Sequence, residues 1–410
     1  MDLKLLEDYA KLIVEVGINL QKGQYVIIQV EPELEDFATL VTKQCYLKGA
    51  KKVYVEFSSA KILKVAMENS SIDDLSIVNA FDEARLKFRV DENPALIWLD
   101  GDDPDGKKGI DPVKFATVNK NRMVKMLKYI EAINNKYQWC IAGVPSKKWA
   151  KKVFPSLSEE EAVEQLWKAI LKTSRADDFN AVENWNKHSI ELKNRCKYLN
   201  SLNLKSLHYT SKRGTDLTVG LIPGVKFDGG SETTLPGVVI QPNIPTEECF
   251  TSPKKGEAEG IVYASKPLVY QGQMIEDFSV KFEKGKAVEV NARVGKEILE
   301  SILALDEGAS YLGECALVPF NSPINNTGIL FYNTLFDENA ACHLALGKGF
   351  TNLYPGYENM TDEEIYLKGI NKSSSHVDFM IGDETLNIVG TTIDGKEIQI
   401  FKDGEWAFSL

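Results

Sequence analysis

The first half of this 410-residue chain contains four apolar runs of strand length, separated by stretches with helical periodicity. The runs are residues 25–30, 52–57, 95–99 and 138–142. Nearly continuous apolar strands that alternate with helices are typical of a parallel sheet covered by helices on both faces. This pattern constrains the fold strongly, because each parallel connection needs a crossover. We therefore expect an α/β domain with a mostly parallel sheet.

Helix start signals in this half agree with that fold. Asp111 followed by Pro112 predicts a long helix to about Asn134, with Asp as the N-cap and Pro at the first helical position. Ser158 and Glu161 have the spacing of a capping box, which predicts a further helix. The half has neither a GxGxxG run after its first strand nor a GxxxxGK[ST] run. The sequence therefore favours a scaffold or oligomer surface over a nucleotide-binding domain.

Near residue 204 the pattern changes, and short strand candidates begin to alternate with turn signals. Typical hairpin turns occur at Lys284-Gly285, Asp394-Gly395 and Asp403-Gly404. These features indicate an antiparallel domain built on a curved sheet or barrel. We expect two domains, an α/β scaffold over residues 1–200 and a β-rich, α+β domain over residues 201–410.

Two of the four histidines in the chain lie among carboxylates in the second half. His376 and Asp378 are two residues apart in a strand-like run, so both side chains would point to one face of a sheet. Glu338 and His343 are five residues apart in a run interpreted as helical. An ideal helix rotates by about 140° over that spacing, so convergence requires Glu338 to lie in the turn that enters the helix.

Further carboxylates accompany these histidines. Glu248 lies in an extended segment bounded by prolines, and Glu314 lies in a strand-like run. Cysteines adjoin Glu248, Glu314 and His343, and on strands such neighbours point into the core, so we expect no thiolate ligand. The candidate metal ligands are four carboxylates and two imidazoles, namely Glu248, Glu314, Glu338, His343, His376 and Asp378.

So many carboxylates in one pocket would require compensating positive charge. Two divalent cations bridged by one carboxylate would supply it, and an oxygen and nitrogen ligand set suits Zn, Co, Mn or Mg. Two such ions about 4 Å apart generate a hydroxide near neutral pH and polarise a carbonyl or phosphoryl oxygen. Hydrolysis is the predicted reaction class. The alternative is that the histidines are hydrogen-bonded core residues and the carboxylates are solvated surface groups.

Composition argues against several partners and locations. The chain has 48 Lys and Arg against 59 Asp and Glu, a net charge of −11, so we expect no nucleic-acid partner. No apolar run approaches the roughly 20 residues that span a bilayer, so we expect no membrane association. The charged N-terminus lacks a signal-peptide core. Six cysteines without a CxxC pair are typical of reduced thiols, and we expect a cytoplasmic protein.

Five runs carry a resemblance to a known family, namely Arg213–Leu217, Pro242–Pro253, Gly313–Val318, Phe336–Gly347 and Ser375–Gly382. Together they resemble the aminopeptidase T / aminopeptidase S / PepS metalloaminopeptidases, over the whole chain. The resemblance implies a cytosolic, dinuclear exopeptidase that cleaves the first residue from peptides with a free N-terminus. It also implies an α/β N-terminal domain, a β-rich catalytic C-terminal domain and a homodimer that encloses its active sites. The implied metal ligands are the same six residues, with Glu314 as the bridge.

One position departs from the family pattern. Where the family has a tyrosine near the metals, this chain has Phe350, so it lacks a phenolic hydroxyl that would stabilise the tetrahedral intermediate there. Tyr354 is an alternative source of the hydroxyl, or the hydroxyl is dispensable. Glu247, beside Glu248, is the candidate general base, with a supporting or surface role as its alternative.

Two rival functions use the same residues. A two-metal phosphoesterase would need cationic side chains to hold phosphate, and only Lys348, Lys372 and Arg213 are close in sequence to the motifs. A non-catalytic peptide-binding or scaffold protein would leave the carboxylates solvated. The residues and the resemblance together favour a metal-dependent aminopeptidase that hydrolyses the N-terminal peptide bond of peptides.

Overall fold

The computed structural model describes residues 1–270 and 272–410, and the chain divides into two compact units. The first unit consists of Met1–Asn186 and Ser231–Ile244, and the second of Lys187–Gly230 and Pro245–Leu410. In sequence, the segment Ser231–Ile244 therefore interrupts the second unit. The division into domains 1–200 and 201–410 stays a prediction about which parts of the chain fold by themselves.

The helix start signals act as the sequence predicts. Asp111 accepts the backbone N–H of Val113 at the start of the long helix, and Ser158 and Glu161 cap each other's backbone N–H groups. In the described part of the chain, every helix is too short or too polar to span a bilayer. The α-helices are α1 (Leu3–Leu12), α2 (Glu35–Leu47), α3 (Ala60–Asn69), α4 (Ile72–Leu75), α5 (Ala80–Glu92), α6 (Pro112–Ile133), α7 (Lys147–Val153), α8 (Glu159–Thr173), α9 (Ala181–Ser201), α10 (Lys296–Leu303), α11 (Thr334–Asp337) and α12 (Asp362–Tyr366).

All four strands predicted in the first half form, and the second half is rich in strands. The strands are β1 (Tyr25–Val30), β2 (Lys52–Phe57), β3 (Ala95–Asp100), β4 (Trp139–Gly143), β5 (Leu204–Thr210), β6 (Asp216–Leu221), β7 (Glu232–Thr233), β8 (Val239–Ile240), β9 (Asn243–Ile244), β10 (Cys249–Thr251), β11 (Pro253–Tyr263), β12 (Leu268–Tyr270), β13 (Gln273–Glu283), β14 (Lys286–Val294), β15 (Leu312–Leu317), β16 (His343–Gly347), β17 (His376–Met380), β18 (Asn387–Thr392), β19 (Glu397–Lys402) and β20 (Glu405–Trp406).

The first unit is built on a five-stranded sheet in the order β2-β1-β3-β4-β9, and each neighbouring pair is parallel. Val26 and Ile28 of β1 are buried, and so is Ile27, which points to the opposite face. Burial on both faces is expected for a parallel sheet covered by helices. Tyr9 and Trp167, from α1 and α8, pack edge to face in this unit, with ring centroids 6.3 Å apart. The predicted α/β fold is confirmed.

The second unit contains two antiparallel sheets. The larger has nine strands, in the order β12-β13-β11-β6-β5-β18-β19-β20, and β14 pairs with β13. The smaller has four strands, in the order β10-β15-β16-β17. Leu207 and Phe282 of the larger sheet and Leu344 and Phe379 of the smaller sheet belong to one buried apolar core. This confirms the expected β-rich half, and the smaller sheet positions the candidate site.

The hairpin between β13 and β14 generates a prediction about stability. Lys284 and Gly285 form its turn with φ angles of 50° and 77°, as expected for a two-residue hairpin. A Cβ on Gly285 would lie 2.3 Å from Cα of Gly256. Gly395, in the hairpin between β18 and β19, has a φ of 86°, but a Cβ there would meet no described atom within 4 Å.

We predict that Gly395→Ala lowers the free energy of unfolding by about 1 kcal/mol, because only the left-handed backbone is penalised. Gly285→Ala should cost about 2 kcal/mol or more, because the backbone of Gly256 must also move. Denaturant titrations of the two variants would measure the difference. Equal costs would contradict the close approach of the two backbones.

Candidate metal centre

The pairing of three strands places two carboxylates in one row. Glu314 of β15 is paired with Ala345 of β16, and Ala345 is paired with Asp378 of β17. Residues directly opposite each other in a sheet project from the same face. Glu314 and Asp378 therefore flank the methyl side chain of Ala345, which leaves space between the two carboxylates.

Both predicted histidines lie on this same face. His343 is two residues before Ala345 on β16, and His376 is two residues before Asp378 on β17. Side chains two residues apart on a strand point in the same direction. The interpretation of His376 and Asp378 as neighbours on one face of a strand is confirmed.

The opposite face of the smaller sheet faces the apolar core. Cys315, Leu344 and Phe379 alternate with the candidate ligands and are all buried in that core. Cys249 and Cys342, the neighbours of Glu248 and His343, are buried in the same core. The expectation that these thiols point away from the candidate site is confirmed, and the alternation of the strands separates polar donors from apolar packing.

The donor atoms form two groups that have Glu314 in common. One group is Glu248, Glu314 and His343, and the other is Glu314, His376 and Asp378; within each group, one donor atom of every residue lies within 4.8 Å of the others. Nε2 of His343 is 3.2 Å from Oε2 of Glu248. Nε2 of His376 is 3.0 Å from Oε2 of Glu314 and 3.1 Å from Oδ1 of Asp378.

Glu338 lies in a 3₁₀ turn, Glu338–Ala340, rather than in a helix, and its carboxylate belongs to neither group of three donors. The helical interpretation of residues 338–343 is wrong, because Ala341 is extended, with φ −158° and ψ 174°, and His343 begins β16. Pairing with β15 on one side and β17 on the other overrides the helical tendency of this run. Burial raises the pKa of Glu338 well above its usual value, and the nearby carboxylates of Asp378 and Glu248 raise it further.

The electrostatics of the centre reflect an excess of buried negative charge. Burial raises the pKa of Glu314 to about 7, against the lowering effect of the hydrogen bond with His376. Burial lowers the pKa of His343, but the hydrogen bond and charge of Glu248 outweigh it and raise that pKa to about 10. Burial also acts to raise the pKa of Asp378, yet the charge of His376 holds it below its usual value. The carboxylates thus create a strong demand for positive charge.

The surroundings of one carboxylate oxygen indicate whether these residues suit a cation. Oδ1 of Asp378 is buried and accepts no hydrogen bond of acceptable geometry from the described residues, although Nε2 of His376 is 3.1 Å away. A buried carboxylate oxygen without a donor is costly. A cation held with Glu314 and His376 would satisfy it, so the donor set fits a divalent metal.

Backbone carbonyls orient both imidazoles. Nδ1 of His376 is 2.8 Å from the carbonyl oxygen of Lys348, and Nδ1 of His343 is 3.3 Å from that of Ala341. An N–H donated from Nδ1 to a carbonyl leaves the lone pair on Nε2, which is the usual support of a metal-binding histidine. In both residues Nε2 faces a carboxylate oxygen, as expected if the imidazole and the carboxylate bind the same ion.

Glu247, the candidate general base, is buried beside a histidine that the sequence did not single out. Its Oε2 is 3.7 Å from Nε2 of His188 on α9, and that nitrogen is 2.8 Å from the carbonyl oxygen of Thr246. The Glu247 carboxylate belongs to neither group of three donors. In the sequence, nothing but the scarcity of histidine marks His188, because its partner Thr246 is 58 residues further along the chain.

Aromatic residues adjoin the centre on another side. The ring of Phe350 meets that of His376 edge to face, with centroids 5.2 Å apart, so position 350 does lie beside a candidate ligand. Tyr354, the alternative source of a hydroxyl, packs against a separate cluster that includes Ile365 and Ile370.

A recess of about 30 Å³ opens beside Glu338 and Asp378. Its lining is mixed, with apolar Leu268 and Met380 beside polar Asn333 and Thr334. Two candidate ligands therefore border a small recess whose walls are partly polar and partly apolar.

Comparisons with known proteins identify relatives over nearly the whole chain. The family model of the thermophilic metalloproteases (M29) matches residues 3–406. Aminopeptidase AmpS from Bacillus subtilis (strain 168) is 40% identical over 404 residues, which cover 98% of each chain. Aminopeptidase T from Thermus thermophilus is 37% identical over 402 residues, again 98% of each chain. The solved structure of wild-type AmpT from Thermus thermophilus has a TM-score of 0.89 at 36% identity, covering 99% of this chain and 100% of that chain.

The row of Glu314, Ala345 and Asp378 generates a prediction. Valine suits a strand, but its added methyl groups would occupy the space between the two carboxylates. We predict that Ala345→Val weakens Zn²⁺ binding by about 10- to 100-fold, whereas Ala345→Gly, which keeps the space, binds as the unmodified chain does. Equilibrium dialysis with metal analysis measures both. Tight binding by Ala345→Val would contradict an ion at this position.

Proposed function

The chain belongs to the thermophilic metalloproteases of family M29, and we propose that it removes N-terminal residues from peptides as a metal-dependent aminopeptidase. The family match, together with relatives named as aminopeptidases, supports a hydrolase that acts as an exopeptidase. The observation that carries the proposal is the pair of donor groups that have Glu314 in common. The phosphoesterase and scaffold alternatives have no comparable support.

We propose that the centre is dinuclear, with Glu314 shared between two divalent ions. The candidate ligands of the first ion are Glu248 and His343, and those of the second are His376 and Asp378, with Glu338 as a further oxygen donor. The buried Oδ1 of Asp378, which lies 3.1 Å from Nε2 of His376 and accepts no well-aligned hydrogen bond from the described residues, supports this assignment. The donor set suits Zn, Co, Mn or Mg. When bound, such ions supply a hydroxide near neutral pH and polarise the scissile carbonyl.

The residues of the chain would bind and orient the substrate around these ions. The expected requirement for a free N-terminal amine rests on the relatives named as aminopeptidases, since two divalent ions would balance the charge of the four ligand carboxylates. The small recess beside Glu338 and Asp378 offers both polar and apolar contacts to the group that enters it. Phe350 packs on His376 and offers no hydroxyl, so we propose that the reaction does not require one at this position.

We propose Glu247 as the general base that accepts the proton of the attacking water. The carboxylate is buried, and Nε2 of His188, which donates to the carbonyl oxygen of Thr246, lies 3.7 Å from its Oε2. In the alternative role, Glu247 only holds its loop against α9. We also propose a cytoplasmic homodimer, which rests on the family resemblance and on the free cysteines.

The aminopeptidase proposal predicts a specific substrate pattern. Peptides with a free N-terminal amine should be shortened one residue at a time, and the same peptides with an N-acetyl group should remain intact. EDTA should abolish the activity, and Zn²⁺, Co²⁺ or Mn²⁺ should restore it. Mass spectrometry of the products provides the measurement. Cleavage of acetylated peptides, or full activity in EDTA, would contradict the proposal.

The role of Glu247 is tested by Glu247→Gln, which keeps its volume and removes its basicity. We predict that kcat falls by about 100-fold or more, because general-base catalysis typically contributes that much. The metal content should stay at the value of the unmodified chain, since the Glu247 carboxylate is outside both donor groups. If kcat stays within threefold of that of the unmodified chain, Glu247 has only the supporting role.

A further inference from the structure

Two of the six candidate ligands are not positioned by the sheet. Glu314, His343, His376 and Asp378 lie on paired strands, where hydrogen bonds set their spacing. Glu248 immediately precedes β10, and Glu338 lies in a 3₁₀ turn. The separation between these two carboxylates must therefore be held by other contacts.

Asn339 provides such contacts on the side of Glu248. Its side chain is fully buried, and its Oδ1 accepts the backbone N–H of Glu247 at 2.8 Å. The hydroxyl of Thr246 lies 3.3 Å from the same Oδ1 and 3.4 Å from Oε1 of Glu248. Thr246 and Asn339 are 93 residues apart in sequence, so this contact ties two distant segments together.

The other end of the same amide contacts the second segment. Nδ2 of Asn339 donates to Oε1 of Glu338 at 3.3 Å and to the carbonyl oxygen of Leu335 at 3.1 Å. A donor on Oε1 leaves Oε2 of Glu338 for an ion. An amide offers an acceptor at one end and a donor at the other without adding charge. An aspartate here would place one more carboxylate against Glu338.

We propose that Asn339 is a positioning residue of the metal centre, which fixes the carboxylates of Glu338 and Glu248 relative to each other. The inference rests on the proposed metal-dependent function. Asn339 acts through its neighbours, in the way that outer contacts of metal ligands commonly raise affinity by 10- to 100-fold. It binds neither ion nor substrate itself.

The test compares two buried or half-buried asparagines that each tie segments together. Asn200 provides the control, because its Oδ1 accepts the backbone N–H of Phe227 at 2.7 Å and its Nδ2 donates to the carbonyl of Phe227 at 2.9 Å, outside the donor groups. Metal-free protein is titrated with Co²⁺ and binding is followed by absorption and calorimetry. We expect Asn339→Ala to raise the Kd by about 10- to 100-fold. Asn200→Ala should leave it within twofold, even if both lower the thermal stability equally.

Each outcome decides the proposal. Asn339→Ala with the Kd of the unmodified chain would overturn it, and so would an equal loss of affinity in Asn200→Ala. If Asn339→Ala does not fold, Thr246→Val removes the contacts of the hydroxyl with Asn339 and Glu248 at nearly constant volume and should raise the Kd by about fivefold. An unchanged Kd in that variant would also overturn the proposal. If the unmodified chain bound no Co²⁺, the proposed metal-dependent function would fail as well.

Discussion

The in-register pairing of β15, β16 and β17 is the constraint on which the rest of the centre depends. It places Glu314 and Asp378 on the same face of a buried sheet, on either side of Ala345. Like charges at this spacing repel each other, and burial adds the cost of desolvating them. Apolar packing of Leu344 and Phe379 on the opposite face offsets that cost. The sheet therefore holds the two carboxylates in an electrostatically unfavourable arrangement, which added positive charge would stabilise.

This demand for positive charge links several properties of the protein. In the metal-free protein the two imidazoles, whose pKa values are raised by neighbouring carboxylates, meet part of the demand. Divalent ions would displace the Nε2 protons of both imidazoles, and two such ions would balance the charge of the four ligand carboxylates. Metal binding then has its electrostatic cause in the arrangement of the carboxylates. The ring of Phe350 packs edge to face with His376 and adds no polar group beside it.

Much of the fold and of the candidate site could be predicted from local patterns. The apolar runs of the first half identified the parallel sheet, and the spacing of His376 and Asp378 identified a shared face, because both depend on short-range periodicity. The strand that begins at His343 was not predictable in this way. Its alanine- and leucine-rich run favours a helix, and pairing with β15 and β17 decides otherwise. Asn339 and His188 escaped notice because their contacts span 93 and 58 residues.

The central claim is that the carboxylate of Glu314 is shared by two ions. Anomalous diffraction from crystals of the zinc-loaded protein, measured on either side of the zinc absorption edge, tests it most directly. The account predicts two anomalous peaks that both contact Glu314, one beside His343 and one beside His376. A single peak without contact to Glu314, or peaks remote from these histidines, would contradict it.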